Sequence, residues 1–332
     1  MPPVHHGTRS QARAHALDST SVFAIVALVA SALALGATAL NFYRDLARER
    51  RDRAERINAL LEDAFDLLES EQAAPTPWRR APGLTSADRQ RLVEARRKVD
   101  RAVALDPQSA TARRALGLIL AEEGTAEQAV AELQRAIALE PRFAAAYYNL
   151  GNSFLRLGRP AEAIDAYRRV IEFDPKHAYA HTGLGSALRA EGKLDDAIGE
   201  YQRAIEIAPS LPYAYYGLGS VFQAQQRYDA AIEQFREAIK RAPDYTVAYA
   251  DLADVLAATG RLDEAIAQYR AALTLSPTYV PALAGRGEAL VRAGRLQEGV
   301  ADLRRATELD PDWEQPRAAL ARALGQGATA KR

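Results

Sequence analysis

The chain contains no cysteine among its 332 residues, which excludes disulfide bonds, thiolate metal sites and cysteine nucleophiles. It also has no excess of either charge, because 43 basic residues balance 43 acidic ones. A nucleic-acid-binding protein normally carries a basic excess, so we expect no nucleic-acid partner. Tryptophan and methionine are scarce, but an apolar content of 48% is enough to build a packed core.

Charge is also missing from residues 21–40, SVFAIVALVASALALGATAL. As a helix, this run spans about 30 Å, the thickness of the hydrocarbon core of a bilayer. It predicts a single transmembrane helix after a polar N-terminal tail, residues 1–20. A cleaved leader is the alternative, since Ala37-Thr38-Ala39 fits a small-x-small cleavage site. We favour the uncleaved anchor because the apolar run exceeds the usual core of a signal peptide.

Arginines on the two sides of this run predict its orientation. Arg9 and Arg13 precede it, whereas six arginines follow within residues 44–56. The positive-inside rule therefore places the C-terminal side in the cytoplasm of a single-pass cell-membrane protein. Long domains can cross a membrane regardless of charge, so a periplasmic or extracytoplasmic location is the alternative.

Residues 41–72 are predicted to form a charged helical stalk. Within them, RDLARERRDRAER pairs arginines and acids four positions apart, as in a solvated helix. The stalk's far end should pack on another surface, because apolar residues there follow helical spacing: Ile57, Leu60, Leu61, Ala64, Phe65 and Leu68. The proline-rich segment 73–84 cannot continue the helix and predicts a linker.

The rest of the sequence repeats every 34 residues. The period is carried by seven prolines: Pro107, Pro141, Pro175, Pro209, Pro243, Pro277 and Pro311. A Leu-Gly pair keeps the same phase, as in Leu184-Gly185 and Leu218-Gly219. An alanine followed four positions later by an aromatic residue or leucine also recurs, as in Ala197 and Tyr201. Such a period indicates stacked supersecondary units.

The octapeptides YYNLGNSF, HTGLGSAL and YYGLGSVF stand at the same place in three repeats. They resemble the tetratricopeptide repeat family, with Tyr147, His181 and Tyr215 in place of its tryptophan. The resemblance implies an all-α fold, a right-handed solenoid of helical hairpins. It covers six repeats, residues 110–313. A degenerate half repeat, residues 85–109, precedes them, and a capping helix with a tail, residues 314–332, follows.

The stretch GLGSALRAEGK, residues 183–193, superficially resembles a phosphate-binding loop. It fails that template, because the spacing of its glycines is wrong and Leu194, not Ser or Thr, follows Lys193. We interpret Gly185 as a site of close helix contact. Gly192 should turn the chain with a positive φ between the two helices of a hairpin.

Candidate catalytic and metal-binding residues are few. His177 and His181 have the spacing of paired ligands on one helix, but no third ligand accompanies them. We interpret His181 as a packing residue, and Asp195-Asp196 as acids at a helix N-terminus. We therefore expect no catalytic residue, no metal, no cofactor and no small-molecule substrate, and we predict that the protein is not an enzyme.

The resemblance implies a groove lined by the first helix of each hairpin, which in the family contacts a protein or peptide ligand. In this sequence the implied groove would be tyrosine-rich in the middle and acidic toward its C-terminal end. The residues concerned are Tyr148, Asn149, Asn152, Arg156, Tyr179, Thr182, Ser186, Arg189, Tyr213, Tyr216, Ser220, Gln223, Asp251, Asp254 and Glu288.

Together these features predict a membrane-anchored scaffold or adaptor that binds protein partners in its concave groove. One alternative is a secreted or periplasmic repeat protein whose leader is removed. Another is a non-catalytic subunit of an enzyme complex, in which the partner supplies the chemistry.

Overall fold

The computed structural model describes residues 19–69 and 86–329, with side chains for residues 35, 37–67 and 86–325. The first part of the predicted tail, residues 1–18, and the predicted linker, residues 73–84, lie outside the described residues. Every element in the described part of the chain is a helix: α1 Ser19–Glu69, α2 Ser86–Leu105, α3 Ala110–Glu122, α4 Ala126–Leu139, α5 Ala144–Arg156, α6 Pro160–Phe173, α7 Ala178–Ala190, α8 Leu194–Ile207, α9 Pro212–Ala224, α10 Tyr228–Arg241, α11 Thr246–Ala258, α12 Leu262–Leu275, α13 Val280–Arg292, α14 Leu296–Leu309 and α15 Glu314–Thr329.

The chain divides into two compact units, residues 1–59 and residues 60–332. In the first unit, the predicted membrane span and stalk are one continuous helix, because no proline separates them. Most side chains of the predicted span lie outside the described residues. Among the residues that were described, no helix has both the length and the apolar character needed to cross a membrane. Most stalk side chains of this unit are exposed, and Arg53 pairs with Glu49 at 3.1 Å.

The second unit contains six helical hairpins, which we call repeats 1 to 6. Each consists of a first helix, A, and a second helix, B: α3/α4, α5/α6, α7/α8, α9/α10, α11/α12 and α13/α14. Each B helix ends just before one of the periodic prolines, which cannot continue it. The turn inside a hairpin uses a residue with positive φ, such as Gly192 at +76°. Gly192 thus has the positive φ that the sequence predicted for this turn.

The packing pattern within this unit defines its two faces. Each A helix contacts its own B helix and also the A helices of the adjacent repeats. Successive B helices lie further apart and are linked by long side chains, as in the ion pair of Arg236 on α10 with Glu264 on α12 at 3.6 Å. The A helices therefore lie close together on the inner, concave face, and the B helices are spread over the outer face.

Both ends of the stack are covered by additional helices. The last turns of α1, which belong to the second unit, bury Leu61 and Ala64, and Asp63 pairs with Lys98 of α2 at 2.7 Å. At the other end, Ala319 and Ala323 of α15 pack against Leu303. Residues 86–105 and 314–329 are therefore helical, and the last turns of α1 pack against α2.

Candidate functional site

The concave face is supported from behind by a row of tyrosines on the B helices. The rings of Tyr167, Tyr201 and Tyr269 are buried in the core. Their hydroxyl groups reach a polar residue at the ninth position of the A helix in the same repeat. Tyr167 donates to Asn152 Oδ1 at 2.6 Å, and Tyr269 donates to the Asp254 carboxylate. These contacts hold the ninth-position side chains in place.

The same rings leave no room for a side chain at the sixth position of the next A helix. Glycine occupies that position after each tyrosine, at Gly183, Gly217 and Gly285. A Cβ atom there would lie 2.5, 2.2 and 2.4 Å, respectively, from the tyrosine of the preceding repeat. Polar sixth-position side chains occur where the corresponding B-helix residue is smaller: Asn149 follows Leu133, and Asp251 follows Phe235.

Two of the predicted groove tyrosines are themselves packed. The Tyr148 ring lies 5.9 Å from that of Tyr167 and 5.5 Å from that of His177. The Tyr216 ring lies 5.0 Å from the Tyr245 ring at a tilted angle, and the Tyr216 hydroxyl donates to Asp251 Oδ2 at 2.6 Å. Burial raises the pKa of Tyr148 to about 12. Both residues therefore shape the groove wall more than they extend into the groove.

The structure does not support two small residues of the predicted groove as contact residues. Thr182 is 2% exposed and Ser186 is 6% exposed. The Thr182 hydroxyl donates to Ala178 O at 3.0 Å, and Ser186 shares a hydrogen bond with the Tyr201 hydroxyl at 2.6 Å. Their side chains are too short to extend past the neighbouring helices, and they satisfy groups inside the protein instead.

The other predicted groove residues reach solvent to different degrees. Asn149 and Asn152 are buried, whereas five residues are half-buried: Tyr213, Ser220, Gln223, Asp251 and Glu288. Four are exposed: Arg156, Tyr179, Arg189 and Asp254. The accessible part of the concave face thus carries tyrosine and arginine in its middle and carboxylates toward its C-terminal end.

The carboxylates at this C-terminal end are electrostatically perturbed. Desolvation by burial raises the pKa of Asp251 to about 6, opposed by the Tyr216 hydrogen bond. Desolvation also raises the pKa of Asp254 to about 7, and the nearby charges of Asp251 and Glu288 add to the effect. The Asp254 side chain is nonetheless open to solvent, since a concave surface surrounds a group with protein without covering it.

The two histidines of interest have structural contacts. His177 Nδ1 accepts from the Ala180 N–H at 3.1 Å and caps α7. His181 is buried, and its Nδ1 lies 2.7 Å from Glu200. The hydrogen bond with Glu200 raises the pKa of His181, whereas burial lowers that of His177. His181 therefore packs between helices, as interpreted from the sequence.

The sequence-based prediction of the groove omitted one residue, Arg114. Arg114 lies on α3, 34 positions before Tyr148, so its place in the repeat could have identified it. Its guanidinium lies 5.3 Å from the Phe65 ring centroid and 5.7 Å from that of Phe143. A small cleft between α3 and α5 begins one turn further along, lined by Leu118, Ala121, Glu122, Asn149, Asn152, Ser153 and Arg156.

Helical hairpins in a 34-residue period, stacked with their A helices inward, define an α-solenoid protein. The sequence pattern of the tetratricopeptide repeat matches residues 87–141, 124–178, 148–212 and 216–280, and a second pattern with the same description matches residues 258–323. The chain belongs to the tetratricopeptide repeat family, whose fold is typical of protein–protein interaction.

Solved structures show the same fold at low sequence identity. A chain of the APC/C hetero-tetramer Cut9–Hcn1 is 17% identical with a TM-score of 0.64, over 81% of this chain and 52% of that one. The match therefore spans about half of that relative's length. A tetratricopeptide repeat protein from Parabacteroides merdae is 17% identical, with a TM-score of 0.59 over 81% and 99% of the two chains.

PilF of Pseudomonas aeruginosa is 19% identical, with a TM-score of 0.55 over 65% of this chain and 98% of PilF. At these identities the similarity establishes the fold alone. No curated protein matches the sequence.

Proposed function

We propose that the repeat domain is an adaptor that binds a segment of a partner protein along its concave face, from Tyr148 to Glu288. This proposal rests on the A-helix side chains that remain exposed to solvent on the concave face. Tyr179 is 41% exposed, and Arg189 on the same helix and Asp254 on α11 are exposed as well. Tyrosine and arginine are enriched among residues that dominate protein interfaces.

The test of this proposal is a variant that removes side chains from the groove without removing packed side chains from the core. Alanine at Tyr148 or Tyr216 would remove packed rings, so it would confuse lost binding with lost stability. We therefore choose the triple variant Tyr179→Ala, Arg189→Ala and Glu288→Ala. Crosslinking and pull-down from native membranes, followed by mass spectrometry, should lose the partners that the unaltered chain captures.

The matched control removes exposed side chains from the outer face. Gln202 and Arg203 are exposed on α8, a B helix, so Gln202→Ala with Arg203→Ala should leave capture unchanged. Equal capture by the groove variant and the unaltered chain would show that the partner binds elsewhere.

We also propose that residues 21–40 anchor the protein in a membrane, with the repeats on the cytoplasmic side. This proposal rests on the uncharged sequence and the arginines that follow it. An anchored chain should remain in the membrane pellet after an alkaline wash, and its mature N-terminus should precede residue 21. A mature chain that starts at Leu40 would instead identify a cleaved leader.

The absence of cysteine makes the orientation directly measurable. Ser210 is exposed between α8 and α9, so Ser210→Cys introduces a single accessible thiol. A membrane-impermeant maleimide should label it only after the cells are opened if the repeats are cytoplasmic. Labelling of intact cells would place the repeats outside the cytoplasm.

The proposed role is non-catalytic. The conspicuous polar groups of the described residues act as structural partners, such as His181 with Glu200 and Tyr269 with Asp254. If the protein acts within an enzyme complex, the bound partner supplies the chemistry. The membrane pull-down tests this directly, because it identifies the partner.

A further inference from the structure

Aromatic and then basic side chains follow the uncharged run along α1. Phe42 is 64% exposed and Tyr43 is 66% exposed, and their ring centroids lie 5.9 Å apart. Six arginines come next, within residues 44–56, and residues 57–69 contain four acids and no basic residue. The helix continues without a break through all of these residues. The order along its axis is therefore apolar, aromatic, basic and acidic.

The acids within residues 44–56 do not neutralise the arginines evenly. In the described part of α1, two of the six arginines form ion pairs: Arg48 with Asp45 at 3.8 Å, and Arg53 with Glu49 at 3.1 Å. The other four are exposed and form no ion pair with a described residue: Arg44, Arg50, Arg51 and Arg56. Their guanidinium groups are therefore available to an external anion.

Helical spacing places three of these arginines on one side of α1. Residues three and four positions apart share a face of an α-helix. This spacing aligns four residues, and two arginines lie directly beside them. We call these six residues the basic face: Tyr43, Arg44, Ala47, Arg50, Arg51 and Ala54. Three of the four acids have the same spacing on the opposite side of the helix: Asp45, Glu49 and Asp52.

The positions of these residues along α1 match the layers of a bilayer. If Leu40 lies at the edge of the hydrocarbon core, Tyr43 lies about 5 Å beyond it, Arg44 about 6 Å and Arg51 about 16 Å. The headgroup layer on each side is about 5–8 Å thick, and tyrosine is enriched there. Arginine side chains can extend back toward this layer. Arg44 therefore reaches the phosphate groups, and Arg51 lies within about one Debye length, about 8 Å, of the charged surface.

We propose that the basic face binds anionic phospholipids in the membrane that residues 21–40 anchor. This inference rests on the proposed anchor and adds a preference for one class of lipid. Phosphate oxygens are strong acceptors for guanidinium groups, and basic clusters next to a membrane span attract anionic lipids. The order of aromatic and then basic residues at these depths favours a lipid surface over a protein partner, because it follows the layers of the interface.

The test uses the full chain with a single fluorophore, which is possible because the chain has no cysteine. Asn41→Cys places the labelled thiol at an exposed position beside Phe42. The labelled chain is reconstituted in phosphatidylcholine vesicles that contain either brominated phosphatidylglycerol or brominated phosphatidylcholine. Bromine quenches only a nearby fluorophore, so the quenching curves give the relative binding constants of the anionic and the zwitterionic lipid.

The anionic lipid should bind about fivefold more tightly, the gain expected from one arginine near an anionic surface. This preference should disappear in about 1 M salt, where the Debye length falls to about 3 Å. A preference that is unchanged by salt would contradict a site built on exposed arginines.

Variants then assign the preference to the basic face. Arg44→Gln, Arg50→Gln and Arg51→Gln together should abolish it, since glutamine keeps a long polar side chain and a similar helix propensity without the charge. The matched control removes three exposed arginines from B helices: Arg168→Gln, Arg270→Gln and Arg304→Gln. It changes the net charge of the chain equally and should retain the fivefold preference.

Flotation of the vesicles after an alkaline wash distinguishes this proposal from the anchor itself. Loss of the unaltered chain from the vesicles would overturn the anchor and the lipid site together. If the chain floats but the two brominated lipids quench equally, the anchor stands, the lipid site is wrong and the basic face is open to a protein partner. Equal loss of preference in the two triple variants would show that net charge, not the basic face, selects the lipid.

Discussion

The ring of Tyr201 in one repeat packs directly on the backbone of Gly217 in the next. A Cβ atom at Gly217 would lie 2.2 Å from Tyr201 Cε1, far inside a van der Waals contact. The contact joins the B helix of repeat 3 to the A helix of repeat 4. It therefore determines both the spacing of the repeats and whether a side chain can extend from the sixth position into the groove.

Replacing Gly217 with alanine should destabilise the protein by about 2 kcal/mol, because the added methyl group overpacks a buried ring. The control is Gly199→Ala on the exposed side of α8, where no atom lies within 4 Å of the new Cβ. The free energy of unfolding of that variant should rise by about 0.5–1 kcal/mol, because alanine has a higher helix propensity than glycine. Urea unfolding followed by circular dichroism measures both changes.

A smaller residue at position 201 should relieve the clash. The chain already contains such a pair, Leu303 followed by Ala319, at the equivalent place in its last repeat. In a double-mutant cycle, Tyr201→Leu combined with Gly217→Ala should cost about 1–2 kcal/mol less than the sum of the single variants. Additive costs would show that ring size does not determine which residue fits at position 217.

Much of this fold could be predicted from the sequence, because its signals are local. Proline ends each B helix and glycine turns five of the six described hairpins, so a 34-residue period locates the helices within one or two residues. The pairing of Tyr201 with Gly217 was not predicted, since it depends on a contact between neighbouring repeats. The burial of Thr182 and Ser186 was not predicted for the same reason, because the position of a residue in the repeat does not give the size of the side chains that surround it.

Among the hairpin turns of the six described repeats, only the turn of repeat 4 lacks the glycine, and Gln226 there has a strained conformation. Gln226 adopts φ +57°, where the other turns of the described repeats have glycine at +69° to +83°. A side chain in this region costs roughly 1 kcal/mol. Gln226→Gly should therefore stabilise the protein by about 1 kcal/mol, and the converse Gly192→Gln should destabilise it similarly. No gain from glycine would mean that the Gln226 side chain compensates for the strain.

The buried pair of His181 and Glu200 should make stability depend on pH. The Glu200 hydrogen bond raises the pKa of His181, so the folded state binds a proton more tightly than the unfolded state. The stabilisation is present below the ordinary histidine pKa, about 6.5, and is lost as pH rises through the raised value. Glu200→Gln should thus lower the free energy of unfolding by about 1.5 kcal/mol at pH 5.5 and by a smaller amount at pH 8.5.

Urea unfolding of the unaltered chain and the Glu200→Gln variant at the two pH values measures this difference. A permanent ion pair provides the control: Arg286 and Asp302 are joined at 2.6 Å in repeat 6. The cost of Asp302→Asn should be the same at both pH values, because this pair contains no histidine. A pH-independent cost for Glu200→Gln would contradict the proposed proton linkage.

Asp251 should also favour folding when it is protonated, although its proton removes a charge instead of adding one, because burial raises its pKa to about 6. A carboxyl group with a raised folded pKa favours folding when it is protonated, so its contribution falls as pH rises from about 4 to above 6. Asp251→Asn can still accept from Tyr216 and carries no charge. Relative to the unaltered chain, the free energy of unfolding of this variant should rise by about 1 kcal/mol between pH 4.5 and pH 8. This amount allows for the partial exposure of Asp251 to solvent, which weakens the effect.

The control is Asp165→Asn, on an exposed part of α6, which should show no such change. Parallel pH profiles for all three proteins would contradict the raised pKa of Asp251.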